Sequence, residues 1–159
     1  MDRQVRSASE LSALQSLRTV FGSARTHDSE VRRVSGVSGS QLWALAEIAR
    51  CEGTTVNGLA ERMALHQTTA SNLVNALAES KLIRRVRDAA DKRVIHLHSS
   101  AEGKQVLLRV PGPHAGLLVD ALRRLEFQQL ERLRESLALL VGVMQGAAPA
   151  AAGSPLMGE

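Results

Sequence analysis

At 159 residues and 17.1 kDa the chain has the size of one domain, and its 44% apolar residues are enough for one core. A formal charge of +4 with a pI near 10.2 suits a polyanionic partner without the charge density of a disordered basic tail. The single cysteine excludes a disulfide framework and a Cys-only zinc site, and 2% aromatic residues with no Tyr leave almost nothing to stack single-stranded bases on.

Residues 1–8 are polar, and residues 146–159 (GAAPAAAGSPLMGE) are rich in Ala, Gly, Pro and Ser, so both ends are expected to be disordered. The first ten residues hold no apolar signal core. The longest nearly apolar run, Leu137 to Met144, is far below the ~20 residues that span a bilayer. A cytoplasmic protein with no membrane contact is the expectation, in keeping with the lone thiol.

In chain order, a first helix is expected from about Glu10 to Val34, with Leu11, Leu14, Leu17, Val20 and Phe21 on one stripe and a wetter C-terminal half. Ser38-x-x-Gln41 has capping-box form, so a second helix starts there, turns Leu42, Leu45, Ile48 and Ala49 inward, and ends at Cys51-Glu-Gly53. Thr54 and Thr55 cap a third helix of about ten residues, whose inner face is Val56, Leu59, Ala60 and Met63. A fourth runs from about Gln67 to Ser80.

From Lys81 the period changes to that of strands. Leu82-Ile83 and Val94 to His98 flank the charged RDAADKR segment as a β-hairpin, with Ile95 and Leu97 on the core side and Val94, His96 and His98 on the other. Ser99 or Ser100 then caps a helix that Pro111-Gly112-Pro113 must interrupt and that resumes at His114. The last helix carries Leu130, Leu133, Leu137, Leu140 and Met144 at spacings of three and four, a seam for another helix. The fold class expected is mainly α with a small β-hairpin wing, a winged helix-turn-helix.

Two features carry chemistry. With Ala70, Leu73, Val74 and Leu77 inside, the fourth helix shows Gln67, Thr68, Thr69, Ser71, Asn72 and Asn75 outside, and it contains no basic residue. Ordinary solvated faces carry Glu, Lys and Arg. Short hydroxyls and amides suit base edges in a major groove, where Asn and Gln pair with adenine and Thr methyls meet thymine methyls. The hairpin region holds Lys81, Arg84, Arg85, Arg87, Lys92 and Arg93 against Asp88 and Asp91, a surplus equal to that of the whole chain. Placed directly after the reading helix, it supplies phosphate contacts and an arginine for the narrow minor groove.

The stretch LAERMALHQTTASNLVNALAESKLIRRVRDAADKRVIHLHSSAEG resembles the DNA-binding lobe of the MarR (multiple antibiotic resistance regulator) family, whose wing carries an Asp-x-Arg element, here Asp91-Lys92-Arg93. Ser100-Ala-Glu-Gly103 stands where that family opens its long helix with Thr-x-x-Gly. The resemblance spans roughly Leu11 to Met144. It implies Arg93 as the residue inserted in the minor groove and Asp91 as its orienter, a reading lobe over about 38–100, and dimerisation helices over about 9–34 and 100–145. The implied protein is a homodimeric repressor that binds double-stranded DNA at a palindromic operator, with a small-molecule effector between dimer lobe and reading head. Trp43 and the Pro111 to His114 region are candidate neighbours of that ligand, and a core role for Trp43 is an equal alternative. Two positions depart from the family: Asn72 stands where it usually has Arg or Lys, and Lys81 where it commonly has glycine.

Other chemistries find less support. Cys51 is single and lies outside the first helix, where peroxide-sensing relatives keep theirs, and His96 with His98 makes only two imidazoles, too few for a zinc site without carboxylates. No catalytic or cofactor motif is present: there is no Gly-x-Ser-x-Gly, no HExxH and no phosphate-cradling loop. The rival class is a winged helix that docks proteins, and the polar fourth helix and basic wing count against it.

Overall fold

The computed structural model describes residues 2–110 and 112–146 of the chain. Over these residues it contains α1 (Asp2–Ser35), α2 (Gly39–Arg50), α3 (Val56–Met63), α4 (Gln67–Glu79), β1 (Ile83–Arg87), β2 (Ile95–Ser99), α5 (Ala101–Arg109), α6 (Leu117–Arg124) and α7 (Phe127–Gln145). The winged helix-turn-helix class stands. No described helix is long and apolar enough to cross a membrane.

Local chemistry sets most boundaries. Ser38 Oγ accepts from the Gln41 amide and Gln41 Oε1 from the Ser38 amide, at 3.3 and 2.8 Å, so the capping box that starts α2 is complete. Thr55 Oγ1 accepts from the Gly58 amide at the start of α3, and Ser100 Oγ from the Gly103 amide at the start of α5. Ala64, at φ +53°, stops α3 after eight residues, sooner than its periodicity predicts. The end of α4 is a Schellman motif: the Leu82 amide donates to the Leu77 carbonyl and the Lys81 amide to that of Ala78. Lys81 fills the left-handed position at φ +59°, the conformation that favours glycine.

The core lies among α2, α3, α4 and the hairpin. Leu42, Leu45 and Ile48 of α2 meet Leu59 and Met63 of α3, Leu73, Val74 and Leu77 of α4, and Leu97 of β2. Gly103 lets α5 approach closely, because a Cβ there would sit 2.2 Å from the Leu82 carbonyl oxygen. β1 and β2 pair antiparallel with Arg85 opposite Leu97, while the loop before α3 joins the free side of β2 through an isolated bridge between Thr54 and Leu97.

Four expectations need correction. The first helix begins at Asp2, so residues 2–8 are helical rather than loose. The wetter half of α1 is the one that buries Ala24 and Val31, whereas Leu11, Leu14, Val20 and Phe21 remain exposed. Ile95 is exposed although Leu97 on the same strand face is fully buried, because the hairpin projects past the core at its tip. The chain resumes helix at Leu117, not His114, whose Nε2 instead donates to the Leu107 and Val110 carbonyls at 3.1 and 2.9 Å, satisfying the end of α5. Pro111 and the tail beyond Gly146 lie outside the described residues.

Candidate nucleic-acid interface

Residues Ala70, Leu73, Val74 and Leu77 anchor α4 in the core, and this fixes what its outer face presents. Gln67, Thr68, Asn72 and Asn75 are exposed, and Thr69 and Ser71 are half-buried at its edges. The α3–α4 turn is short, with Ala64 in the left-handed region and His66 as the N-terminal cap of α4. The outer face of α4 over these six positions is thus polar and uncharged.

The hairpin stands beside that face, and one bond joins them: Arg85 Nη2 donates to Asn75 Oδ1 at 2.5 Å. Asn75 thereby spends the acceptor that a bidentate adenine contact needs. Nothing in the spacing of the two residues announces this link, since it depends on the angle between α4 and β1. Arg84, Arg85, Arg87, Lys92 and Arg93 are all exposed.

At the tip, Asp88 Oδ1 accepts from the amides of Ala90 and Asp91 at 2.8 and 2.9 Å. The Asp91 amide first, then His96, hold the Asp88 pKa down at about 2. Asp91 Oδ1 accepts from the Arg93 amide at 3.0 Å and lies 3.4 Å from Arg93 Nε. The Arg93 side chain is 94% exposed. A carboxylate thus aims an otherwise free guanidinium away from the protein.

His96 and His98 share a strand face but turn to different partners, and among the described residues no group of three His, Cys, Asp or Glu could hold a metal ion. His98 Nδ1 lies 3.1 Å from Glu52 Oε2. Burial works against ionisation of Glu52, yet Ser99, Lys104 and His98 outweigh it and hold its pKa below the usual carboxylate range. Cys51 sits half-buried at the C-terminal cap of α2.

A cavity of about 360 Å³ opens where α2 faces the α5–α6 connection, lined by Trp43, Glu47, Arg50, His114 and Arg123 among others. Trp43 packs on the core, but its Nε1 is buried without a hydrogen-bond partner. Such an unpaired donor is costly. Glu47, itself buried, meets Arg50 at 2.5 Å and Arg62 at 3.7 Å. Sequence reasoning pointed to Trp43 but not to Glu47 and Arg50 on the same helix, nor to Arg123, which comes from α6.

The proposed dimer residues lie on two different elements. Leu11 and Leu14 of α1 and Leu137, Leu140 and Met144 of α7 are exposed, whereas Leu130 and Leu133 are half-buried. Leu139 and Val143 of α7, outside the expected seam, are about three-quarters exposed.

A helix-turn-helix with a polar outer face, braced by a basic wing, defines a winged helix-turn-helix protein. Residues 35–94 match the MarR family. Over 126 residues the chain is 23% identical to the uncharacterized HTH-type transcriptional regulator YsmB of Bacillus subtilis (strain 168), covering 79% of this chain and 86% of that one. It is 30% identical over 88 residues to the HTH-type transcriptional repressor MdtR of the same organism, 55% of this chain and 57% of that protein. Its fold is similar to that of MepR in the S. aureus MepR–DNA complex, with a TM-score of 0.58, 20% identity, and coverage of 87% of this chain and 98% of that one. The match to the MarR family covers the helix-turn-helix and most of the wing, and leaves nearly all of α1 and every helix after β2 outside it.

Proposed function

We propose that the chain is a repressor that binds a palindromic duplex operator as a homodimer and yields to a small-molecule effector. The observation that carries this reading is the pairing of α4's uncharged polar face with a wing whose Arg93 is exposed and paired only with Asp91, which aims it. The helix supplies base contacts and the wing a cation for the minor groove. The MepR complex with DNA and the description of MdtR as a repressor support the same direction.

The dimer rests on the exposed apolar faces of α1 and α7, which a small soluble domain does not ordinarily leave to water. Among the described residues, α7 packs broadly against no other element, so a second copy is the natural cover. For the effector, the cavity offers the Trp43 and His114 rings and the Arg123 guanidinium beside the Glu47–Arg50 ion pair, a mixed apolar and charged lining suited to a small molecule.

The deciding experiment is selection of binding sites from random duplexes by gel shift. The expected result is an inverted repeat bound by the dimer. Failure to enrich any sequence, with only salt-labile binding to all duplexes, would return the chain to the protein-docking class.

A further inference from the structure

The wing tip is tied to the body of the reading head by one side chain. His96 Nδ1 lies 2.7 Å from the carbonyl oxygen of Gly53, in the loop between α2 and α3, and His96 Nε2 lies 3.0 Å from Asp88 Oδ2. A carbonyl can only accept, and Asp88 is a carboxylate whose other oxygen already accepts two amides of the tip. Both ring nitrogens must then donate, which only an imidazolium does. Asp88 first, then the Gly53 carbonyl, raise the His96 pKa above the ordinary histidine value.

The connection continues outward. Asp88 Oδ1 binds the amide of Asp91, and Asp91 binds both the amide and the guanidinium of Arg93. We propose that His96 is a positioning residue for the DNA-binding wing: as an imidazolium it fastens the Asp88-built tip, and with it Asp91 and Arg93, to the loop before α3, and on losing its proton it lets the tip swing. The positioning role rests on the DNA-binding reading above, but the fastening itself does not.

Other charged groups near the ring are engaged elsewhere. On the α2–α3 loop, Glu52 is held by His98 and Ser99 of β2 and by Lys104 of α5. From α3, Arg62 donates to the Thr54 hydroxyl and faces Glu47. Arg87 of β1 stands opposite Ile95, on the other face of the hairpin. Asp88 is therefore the charge that His96 answers to.

The sign follows from both shifts. His96 has a raised pKa when folded, so its tie is complete below about pH 6.5 and is lost as pH rises through the raised value. Asp88, lowered to about 2, contributes fully above about pH 4 and is lost only as pH falls through about 2. Wing order, and with it DNA affinity, should decline from mildly acidic to mildly alkaline pH.

Two measurements test this. In the DNA-free protein, NMR titration of the histidine side chains should give His96 a midpoint above that of free histidine, and Asp88→Asn should lower it. A midpoint at or below the free value, or one indifferent to Asp88→Asn, overturns the fastening. In the second, affinity for one selected duplex is compared at about pH 6 and about pH 8.5 at fixed ionic strength, for the wild type, His96→Gln and Arg93→Ala. The wild type should lose affinity several-fold, while His96→Gln, which keeps a donor but does not titrate, and Arg93→Ala, which lacks the inserted cation, should change little. Equal pH slopes in the wild type and His96→Gln overturn the positioning role alone. Absence of duplex binding at every pH overturns the DNA-binding reading and the positioning role together, leaving the titration to judge the fastening. Should His96→Gln unfold, Asp88→Asn takes its place in the affinity assay, and a pH slope equal to that of the wild type overturns the positioning role in the same way.

Discussion

Arg93 and Asp91 differ in what they hold. Arg93 contributes an exposed cation and Asp91 only its aim, through contacts at 3.0 and 3.4 Å. Arg93→Ala should weaken duplex binding by about tenfold or more and Asp91→Ala by a smaller factor, with both proteins folded. Fluorescence anisotropy at physiological salt checks this, and near-native affinity for Arg93→Ala refutes the wing assignment. Asn72 and Asn75 also part company, although the sequence made them equivalent. Asn72 is exposed, and Asn72→Ala should cost about 1–3 kcal/mol on the selected site and little on random DNA. Asn75 holds Arg85, so Asn75→Ala and Arg85→Ala should be non-additive in a double-mutant cycle. Additive losses would show that the two residues act on DNA separately.

Elements end and pack here for reasons that single substitutions can reach. Lys81 occupies the left-handed position that closes α4, and Lys81→Gly should relieve about 1 kcal/mol of backbone cost, raising the thermal midpoint by roughly 2–4 °C. An unchanged or lower midpoint would mean that the lysine side chain contributes more than its backbone costs. Gly103 is the opposite case. Gly103→Ala would drive a Cβ into the Leu82 carbonyl, and because backbone rather than a flexible side chain must move, the expected loss is about 3 kcal/mol or more by denaturant titration. The glycine matters for close approach of α5 to the α4–β1 junction, not for conformational freedom.

For the whole molecule the governing quantity is apolar surface left uncovered by one chain. Leu137, Leu139, Leu140, Val141, Val143 and Met144 are all exposed on α7, and Leu11, Leu14 and Phe21 on α1. Light scattering at micromolar concentration should give twice the 17.1 kDa chain mass. Leu137→Asp combined with Leu140→Asp should shift it toward the single-chain value, and a wild-type mass of one chain would remove the dimer. A two-fold dimer presents its reading helices on one side of the duplex, so the selected operator should have half-site centres one helical turn, ~10 bp, apart. The absence of basic residues on α4 predicts that the half-site leans to A·T pairs, unless Arg85 beside Asn75 reaches a guanine.

The order of helices and strands, the capping of α2, α3 and α5, and the inner face of α4 were legible in the sequence because each depends on residues within one or two turns of each other. Ser38 with Gln41, and Ala70 with Leu73, Val74 and Leu77, settle their contacts at a range where backbone geometry is fixed. The roles of the wing's Asp91 and Arg93 came from the resemblance to the Asp-x-Arg element of the MarR wing, not from a local packing pattern. Tertiary structure alone decided which half of α1 is buried, since both halves carry apolar residues and only the docking of α1 against α2, α5 and α6 chooses Ala24 and Val31. It also decided that His96 ties Asp88 to Gly53, that Asn75 serves Arg85, and that Trp43, Glu47 and Arg50 of α2 share a cavity with Arg123 of α6. Those contacts join elements that are separate in the chain, and their geometry is set by how whole elements pack, which no local pattern encodes.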